Sequence, residues 1–197
     1  MSIIHFWLAG RRREHRTIGF LGADSGVGTT HLALAAAVFA VSEQGIPAAF
    51  VELSDKPCIA ALDAGKGERD FFTADGVGYY PHAASGRMPE LLSGPYEYLI
   101  LDLGCGTDGW QEFLRCDLRY VVASLSPWRI GQAENFMTTH MENAGFHYFT
   151  ALLTITGNVY EKKNFQRKYH VPVRTIPFIA DPFWPGRGQM SFFQELL

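Results

Sequence analysis

Short runs of hydrophobic residues alternate along the chain with segments of helical character. The hydrophobic runs predict strands at residues 18–21, 48–53, 77–81, 96–103, 118–125, 148–155 and 171–178. Helices are predicted between them, at residues 30–44, 57–64, 88–92, 110–116, 127–143, 162–169 and 191–197. Continuous apolar strands that alternate with helices indicate a parallel sheet covered on both faces. The pattern therefore predicts a single-domain, three-layer α/β fold with a mostly parallel sheet of about seven strands.

An apolar run followed by three arginines occupies the N-terminus. We separate residues 1–15 as an N-terminal arm from a domain of residues 16–197. In a signal peptide the positive charges come first, so the order here is wrong for one. The arm is interpreted as an edge strand or docked segment. The alternative is a peripheral membrane contact of residues 3–13, with Phe6 and Trp7 among the lipid headgroups.

Two other segments are interpreted from their composition. Residues 64–78 are rich in Gly, Asp and Lys and predict a loop. Residues 191–197 form a short amphipathic tail, which we expect to dock as a terminal helix rather than to bind a membrane. Trp128 and Trp184 are expected to be packing residues.

The composition is that of a folded domain. The chain has 197 residues, of which 47% are hydrophobic and 19% are charged, enough for one sizeable core. A net charge of −3 does not favour a general nucleic-acid binder, and no specific nucleic acid is predicted as a partner. No apolar run reaches the roughly 18 residues that a membrane span needs. The three cysteines form no C-x-x-C pair, which favours reduced thiols in a cytoplasmic protein.

A glycine-rich turn joins the first predicted strand to the first predicted helix. Its glycines are Gly22, Gly26 and Gly28, and an alanine- and leucine-rich segment follows them. A strand, a glycine loop and a helix in this order place backbone N–H groups and a helix N-terminus around an anion, usually a phosphate.

The glycine spacing fits two dinucleotide templates in part. Gly26 and Gly28 match the start of G-x-G-x-x-G, but the third glycine falls on His31. Together with Gly22 they match the G-x-x-x-G-x-G form of the short-chain dehydrogenases. That family also needs a Tyr-x-x-x-Lys pair, and no tyrosine in the sequence has a lysine four residues later. An NAD(P)-dependent oxidoreductase is therefore kept only as a third interpretation.

The loop also resembles the deviant phosphate loop of the MinD/ParA family, K-G-G-V-G-K-T-T, with D-S-G-V-G-T-T-H in its place. Further matches follow in the family's order over about residues 16–182. V-E-L-S at residues 51–54 resembles its V-D-x-D, and Y-E-Y-L-I-L-D-L-G at residues 96–104 resembles its Y-D-Y-I-I-I-D strand. V-P-V-R-T-I-P-F at residues 171–178 resembles its V-P-V-x-x-x-I-P. Within the family, the CpaE/TadZ branch is the most similar, because it tolerates degenerate loops.

The resemblance implies a P-loop fold with an ATP or ADP site and a Mg²⁺ ion. Gly104 is expected to sense the terminal phosphate and Asn158 to contact adenine. Thr30 is expected to ligate Mg²⁺ and Asp102 to bind the water of the metal. The loop residues implied to bind the nucleotide are Gly22, Asp24, Ser25, Gly26, Val27, Gly28, Thr29, Thr30 and His31.

The chain departs from the family at three charged positions. The loop lysine falls on Thr29, the signature lysine on Asp24 and the switch aspartate on Ser54, while Glu52 keeps the preceding acidic position. Phosphoryl transfer depends on neutralising charge and positioning water. A unit-charge contact at about 4 Å contributes roughly 4 kcal/mol at an effective dielectric constant of about 20. We therefore expect weakened or lost ATPase chemistry and residual nucleotide binding at most.

Three functions follow from these expectations. The first is a nucleotide-responsive or nucleotide-independent localisation or scaffold partner of a larger assembly, with weakened or lost ATPase chemistry. The second is an active switch that dimerises on ATP and Mg²⁺. The third is the oxidoreductase. A protein partner or a homodimer is expected, in the cytoplasm or peripherally at the inner membrane face. Cys105 resembles the cluster cysteine of the nitrogenase iron protein, but that cluster needs two cysteines per subunit, so no iron–sulfur cluster is expected.

Overall fold

The computed structural model describes residues 15–54, 58–62, 70–141 and 149–197. Apart from His15, the predicted N-terminal arm lies outside the described residues. The described residues form one α/β domain with a single eight-stranded sheet, so the predicted fold class is confirmed and the strand number is slightly higher than predicted. The strands are β1 (Arg16–Gly22), β2 (Ala48–Glu52), β3 (Phe72–Ala74), β4 (Val77–Tyr80), β5 (Tyr98–Cys105), β6 (Leu118–Val122), β7 (Ala151–Thr154) and β8 (Val173–Thr175).

Helices connect most of these strands. They are α1 (Thr29–Ser42), α2 (Met88–Leu92), α3 (Trp110–Arg115), α4 (Ile130–Met141), α5 (Val159–Tyr169) and α6 (Met190–Leu196). Short 3₁₀ turns lie at Ile59–Leu62, Ser85–Arg87 and Arg187–Gln189. The first of these is the described part of the helix predicted at residues 57–64.

The strand order is β3-β4-β2-β5-β1-β6-β7-β8. All neighbouring strands are parallel except β3 and β4. The dinucleotide-binding order 3-2-1-4-5-6 places the first and second strands side by side. Here β5 separates β1 from β2, so the turn that follows β1 emerges between the ends of β5 and β6. This order argues against the oxidoreductase interpretation.

Two apolar layers cover the faces of the sheet, as predicted for buried parallel strands. Alternate residues point to opposite faces, so that Ile18 and Phe20 enter the layer below α1 and α6 while Leu21 enters the other. α1 is apolar around most of its circumference and has ten buried residues, which identifies it as a central rather than a surface helix. Phe113 of α3, Met137 of α4 and Phe165 of α5 are buried in the opposite layer.

The segment predicted as a loop at residues 64–78 contains a β-hairpin at its C-terminal end. β3 and β4 pair antiparallel around Asp75 and Gly76, whose φ angles are 48° and 81°. Two consecutive left-handed residues form the turn that fits the twist of a tight hairpin, and Asp-Gly is a preferred sequence for it. The loop prediction was therefore wrong for β3 at residues 72–74, because the Asp-Gly signal outweighs the polar composition around it, whereas the strand predicted at residues 77–81 is confirmed as β4.

Helix ends differ from the predictions where local hydrogen bonds decide them. α1 ends at Ser42 with Glu43 as its C-cap, two residues before the predicted end at residue 44. Gly45 follows with a φ of 66° and donates its N–H to the carbonyl of Val41 at 3.2 Å. α4 begins three residues later than the predicted residue 127, because residues 126–129 form a turn. Both Arg129 and Ile130 donate their N–H groups to the carbonyl of Ser126 at 2.9 Å.

The C-terminal helix α6 is docked on the core, which confirms the prediction. Phe193 is fully buried and its ring stacks on Phe39 with centroids 5.1 Å apart. The hydroxyl of Tyr120 donates to the carbonyl of Leu196 at 2.7 Å.

The expectation that Trp128 and Trp184 are packing residues was wrong. Both lie in turns after the strands, and they are 79% and 80% exposed.

Candidate functional site

The glycine-rich loop leaves the sheet at its carboxyl edge and is held on both sides. The carbonyl of Gly22 accepts from the N–H of Gly106 beyond β5 at 3.1 Å. The N–H of Ala23 donates to the carbonyl of Val122 at the end of β6 at 2.8 Å. These two bonds fix the start of the loop between its neighbouring strands, and the turns that follow β5 and β6 therefore flank it.

Three glycines allow the loop its shape. Gly26 and Gly28 have φ angles of 68° and 91°, in the left-handed region that favours glycine. At Gly22 a Cβ would lie 2.6 Å from the hydroxyl oxygen of Thr29, so the close approach of the loop to the first turn of α1 requires glycine. Gly28 is the N-cap of α1, and no acidic residue lies in the first turn of that helix. The backbone N–H groups at this end therefore suit an anion.

Thr30 and Asp102 meet at the base of the loop. The Thr30 hydroxyl donates to one oxygen of Asp102 at 2.5 Å, and the other oxygen accepts from the N–H of Gly104 at 3.1 Å. Burial raises the pKa of the Asp102 carboxyl, these two bonds oppose the rise, and the charge of nearby Glu52 adds to it. Gly104 has a φ of 65°, and a Cβ there would lie 2.8 Å from the hydroxyl oxygen of Ser54.

Glu52 is a buried acid beside Asp102. The two residues lie in register on adjacent strands, and both are completely buried. One oxygen of Glu52 accepts from the backbone N–H of Cys58 at 2.7 Å. The other, Oε2, has no hydrogen-bond partner among the described residues. Together with the Thr30 hydroxyl, the two carboxylates form an all-oxygen donor set, the kind that Mg²⁺ prefers.

A cation reaches the loop from the turn that precedes α4. The guanidinium of Arg129 forms an ion pair with Asp24 and donates to the carbonyl of Ser25 at 2.6 Å. The N–H of Ser25 in turn donates to the Asp24 carboxylate at 2.7 Å. The hydrogen bond from Arg129 holds the pKa of Asp24 below its usual range. Asp24 is therefore ion-paired with Arg129, and the expectation that it weakens phosphate binding stays a prediction.

Sequence reasoning missed Arg129. The available signal was its position in S-P-W-R, directly after an apolar strand that could lie beside β1. Without the strand order, that arginine could not be distinguished from others on the surface. The structure supplies the order, and β6 is the neighbour of β1 on the side away from β5.

An apolar pocket of about 280 Å³ adjoins the loop. It lies between the start of α1 and the segment after β8. Within it, Nε2 of His31 lies 2.9 Å from the carbonyl oxygen of Ile179, and Phe178 is 78% exposed. Small-molecule pockets are mostly apolar with a few polar groups, and this one has the chemistry to hold a flat base. It is lined by Gly28, His31, Leu32, Ile155, Ile176, Pro177, Phe178 and Ile179.

The remaining predicted site residues fall in two groups. Val27 is half-buried against the core and Thr29 is buried, so both help to hold the loop. Asn158 is the N-cap of α5, where its side chain accepts from the N–H of Glu161 at 2.9 Å and the Glu161 carboxylate accepts from the N–H of Asn158 at 2.7 Å. This capping box gives Asn158 a structural role. Its predicted contact with adenine stays a prediction.

The cysteines of the sequence lie in different surroundings. Cys105 is exposed at the end of β5, close to Gly104. Cys116 is buried after α3, and a Cβ on Gly19 would lie 2.6 Å from its sulfur. Burial raises the pKa of the Cys116 thiol to about 12, so this cysteine is a packing residue with an unreactive thiol.

The chain has the MinD/ParA-like P-loop fold. MinD, the septum site-determining protein from Pyrococcus horikoshii OT3, solved with Mg-ADP, matches 92% of this chain over 94% of its own, with a TM-score of 0.68 and 17% identity. A ParA family ATPase from Chlorobium tepidum TLS matches 92% of this chain over 88% of its own, with a TM-score of 0.62 and 15% identity. A chain of the MinC:MinD cell division protein complex from Aquifex aeolicus matches 92% of this chain over 86% of its own length, with a TM-score of 0.57 and 14% identity.

No protein-family model matches the sequence, and no curated protein matches it either. At the identities found, the structural likeness shows the fold alone. The activity has to be argued from the residues of the site.

Proposed function

We propose that this chain, which has the fold of the MinD and ParA ATPases, binds a nucleoside polyphosphate at the β1–α1 loop and acts, with weakened or lost hydrolysis, as a localisation or scaffold partner of a larger assembly. The observation that carries the proposal is the 2.5 Å hydrogen bond between Thr30 and Asp102. It brings a hydroxyl at the start of α1 to a carboxylate on β5, the strand that pairs with β1. Both groups lie at the edge where ligands bind in open α/β sheets.

The residues present fit a Mg²⁺ ion. Thr30, Asp102 and Glu52 would supply oxygen ligands, directly or through water, and Glu52 has a buried oxygen without a hydrogen-bond partner among the described residues. A bound Mg²⁺ would neutralise phosphate charge. The residues of the chain itself hold the two acids close together and exclude solvent from them, because both are completely buried.

The apolar pocket beside Gly28 supports a nucleotide rather than a free phosphate. It opens next to the backbone N–H groups that would hold the phosphates, and it has room for a base. We propose ATP or ADP as the ligand. The two other predicted contacts, Gly104 with the terminal phosphate and Asn158 with adenine, belong to this proposal.

Weak hydrolysis follows from the side chains at the loop. Thr29 is buried and neutral, so it supplies no charge to the phosphates. Ser54, at the position of the family's switch aspartate, packs against Gly104 and offers a hydroxyl where a carboxylate would orient water. Both changes remove parts on which phosphoryl transfer depends.

A protein partner or a second copy of the chain fits this role. One neighbour in the comparison was solved as a MinC:MinD complex. No helix in the described part of the chain is long and apolar enough to cross a membrane. A cytoplasmic location is part of the proposal, with a peripheral contact of residues 3–13 at the inner membrane face as its alternative.

Calorimetric titration with ATP, ADP and NADP, with and without Mg²⁺, tests the proposal, together with an assay of phosphate release. We expect Mg²⁺-dependent binding of ATP or ADP, with little turnover. Thr30→Val removes the hydroxyl and should abolish the effect of Mg²⁺. Thr138→Val is the matched control, because Thr138 lies on the exposed side of α4 and donates to the carbonyl of Glu134 within that helix. Absence of nucleotide binding would contradict the proposal.

An active ATPase switch is the second candidate, and Arg129 favours it because a cation already lies at the loop. Sustained phosphate release, together with dimer formation that requires ATP and Mg²⁺, would support this candidate over the scaffold. Selective binding of NADP would support the oxidoreductase instead.

A further inference from the structure

A network of hydroxyl groups holds the turn of residues 126–129, which carries Arg129. The Ser124 hydroxyl lies 2.9 Å from those of Ser126 and Thr156, and the Thr156 hydroxyl accepts from the N–H of Leu125 at 3.0 Å. Ser126 is buried, and its carbonyl accepts from the N–H of Arg129 at 2.9 Å. The backbone of the arginine is therefore anchored to the segment after β6 and to the turn after β7, which both follow strands of the sheet.

The guanidinium of Arg129 has donors to spare. Its contacts with Asp24 and with the Ser25 carbonyl both use Nη2. Among the described residues, no acceptor contacts Nη1 or Nε of Arg129. A guanidinium presents its donors as a planar fork that matches phosphate oxygens in pairs. The side chain is about 30% exposed, so an incoming anion can reach it.

The Asp24–Arg129 ion pair lies at the glycine-rich loop, where a bound phosphate would need a positive charge. The family's loop lysines are absent, and Arg129 contacts the residues at positions 24 and 25 from a neighbouring strand end. Its charge is neutralised by Asp24. A phosphate carries more negative charge than one carboxylate, so it competes for the same guanidinium.

We propose that Arg129 is the cation of the phosphate loop, supplied from within the same chain, and that the Asp24–Arg129 ion pair is a latch that the phosphates of a nucleoside di- or triphosphate open by replacing Asp24. This proposal rests on the proposed function. It adds the residue that recognises the phosphates and a competitor that weakens their binding. Nucleoside monophosphates, which lack the outer phosphates, open the latch least.

Calorimetry on variants of the full chain tests the latch. Asp24→Asn frees Arg129 and should tighten ATP binding by about tenfold, whereas Arg129→Ala should weaken it by about tenfold or more. Arg129→Ala should cost more affinity in the Asp24→Asn background than in the wild type, because the arginine then contacts phosphate without a competitor. Arg129→Lys should recover part of the affinity. Glu112→Gln and Arg115→Ala are the matched controls, since both residues of that ion pair lie on α3.

The alternative is an ion pair that only stiffens the loop. In that case Asp24→Asn would weaken ATP binding as much as Arg129→Ala does, and the latch would be overturned. Unchanged affinity in Arg129→Ala would overturn it as well. Equal effects on AMP and ATP would show that the arginine does not recognise the outer phosphates, which also contradicts the proposal.

Hydrogen exchange of the amides at residues 23–28 gives a readout that needs no nucleotide. Both Asp24→Asn and Arg129→Ala should increase exchange relative to the two α3 controls, and unchanged exchange would overturn the latch itself. If exchange responds but no variant binds ATP or ADP, the proposed function fails and the phosphate-recognition half of this proposal fails with it. The two failures are therefore distinguishable.

Discussion

Glu52 and Asp102 lie opposite each other in register on β2 and β5, and neither side chain has any exposed surface. Burial is the main cause that raises the pKa of Asp102, and the charge of Glu52 adds to it. One oxygen of Glu52 is left without a hydrogen bond among the described residues. Two neighbouring buried carboxylates destabilise a fold, because burial and mutual repulsion both disfavour their charged forms. Such arrangements are typical of functional sites.

Replacing Glu52 by Gln should therefore stabilise the chain. Glutamine keeps an oxygen to accept from the Cys58 N–H and removes the buried charge. We expect the free energy of unfolding to rise by about 1–2 kcal/mol without Mg²⁺, measured by urea denaturation. Any stabilisation by Mg²⁺ should be lost. Glu134→Gln is the control, because its partly exposed ion pair with Lys168 contributes little. A Glu52→Gln variant less stable than this control would contradict the account.

The raised pKa of Asp102 predicts a pH dependence with a definite sign. The folded chain holds the Asp102 proton more tightly than the unfolded chain, where the ordinary value of 3.8 applies. The free energy of unfolding should therefore fall as the pH rises from the ordinary value to the raised pKa, by at most about 1.4 kcal/mol per pH unit, and then level off. Asp102→Asn cannot titrate. Urea denaturation of both proteins at a series of pH values should show the wild type losing stability relative to the variant, and a constant difference would contradict the assignment.

Gly22→Ala should disturb the loop, because the added Cβ would lie 2.6 Å from the hydroxyl oxygen of Thr29 and 3.1 Å from the carbonyl oxygens of Asp24 and Gly104. We expect the free energy of unfolding, measured by urea denaturation, to fall by about 1–3 kcal/mol. Nucleotide affinity should fall as well. Gly131→Ala in α4 is the control, since nothing lies within 4 Å of its Cβ position. It should be neutral or stabilising by up to about 1 kcal/mol. Equal behaviour of the two variants would show that the approach at Gly22 is not tight.

The layers and most elements could be predicted from the sequence because they depend on local periodicity. Apolar runs identify β5 and β6, and an alanine-rich segment identifies α1, regardless of what lies beside them. The antiparallel β3 was missed because it has three residues and its signal lies in the Asp-Gly turn rather than in hydrophobicity. The start of α4 was misplaced because a turn anchored on Ser126 replaces the first helical residues.

The site could be predicted only where each part carries a sequence signal of its own. The glycine loop was identified from its own spacing, and Asp102 from a strand that resembles a known one. Arg129 was missed because it lies 105 positions from Asp24, and only the strand order brings the two together. The same holds for the apolar pocket, whose walls come from the start of α1 and the segment after β8.

Phe193→Ala should test the docked C-terminal helix. Phe193 is fully buried and stacks on Phe39 of α1, so its truncation should cost about 3–5 kcal/mol of stability. Phe192 is only partly buried at the edge of the same core, so Phe192→Ala should cost distinctly less. Thermal and urea denaturation measure both. If the neighbouring variants lose the same small amount, α6 does not contribute to the core as described.

Thr29→Lys should raise ATP affinity, because it restores a cation at the position of the family's loop lysine. The wild-type threonine is buried against Gly22, and the long, flexible stem of lysine can carry its charge out to the mouth of the loop. The sequence alone predicts higher ATP affinity for Thr29→Lys combined with Asp24→Lys. The position of Arg129 argues that Asp24→Lys adds nothing to this gain, because its ammonium group would face the guanidinium of Arg129 and two like charges would meet. Calorimetry should therefore show tighter ATP binding for Thr29→Lys and no further gain for the double variant. If Thr29→Lys leaves the affinity unchanged, the β1–α1 turn does not hold phosphate in the manner of a P-loop.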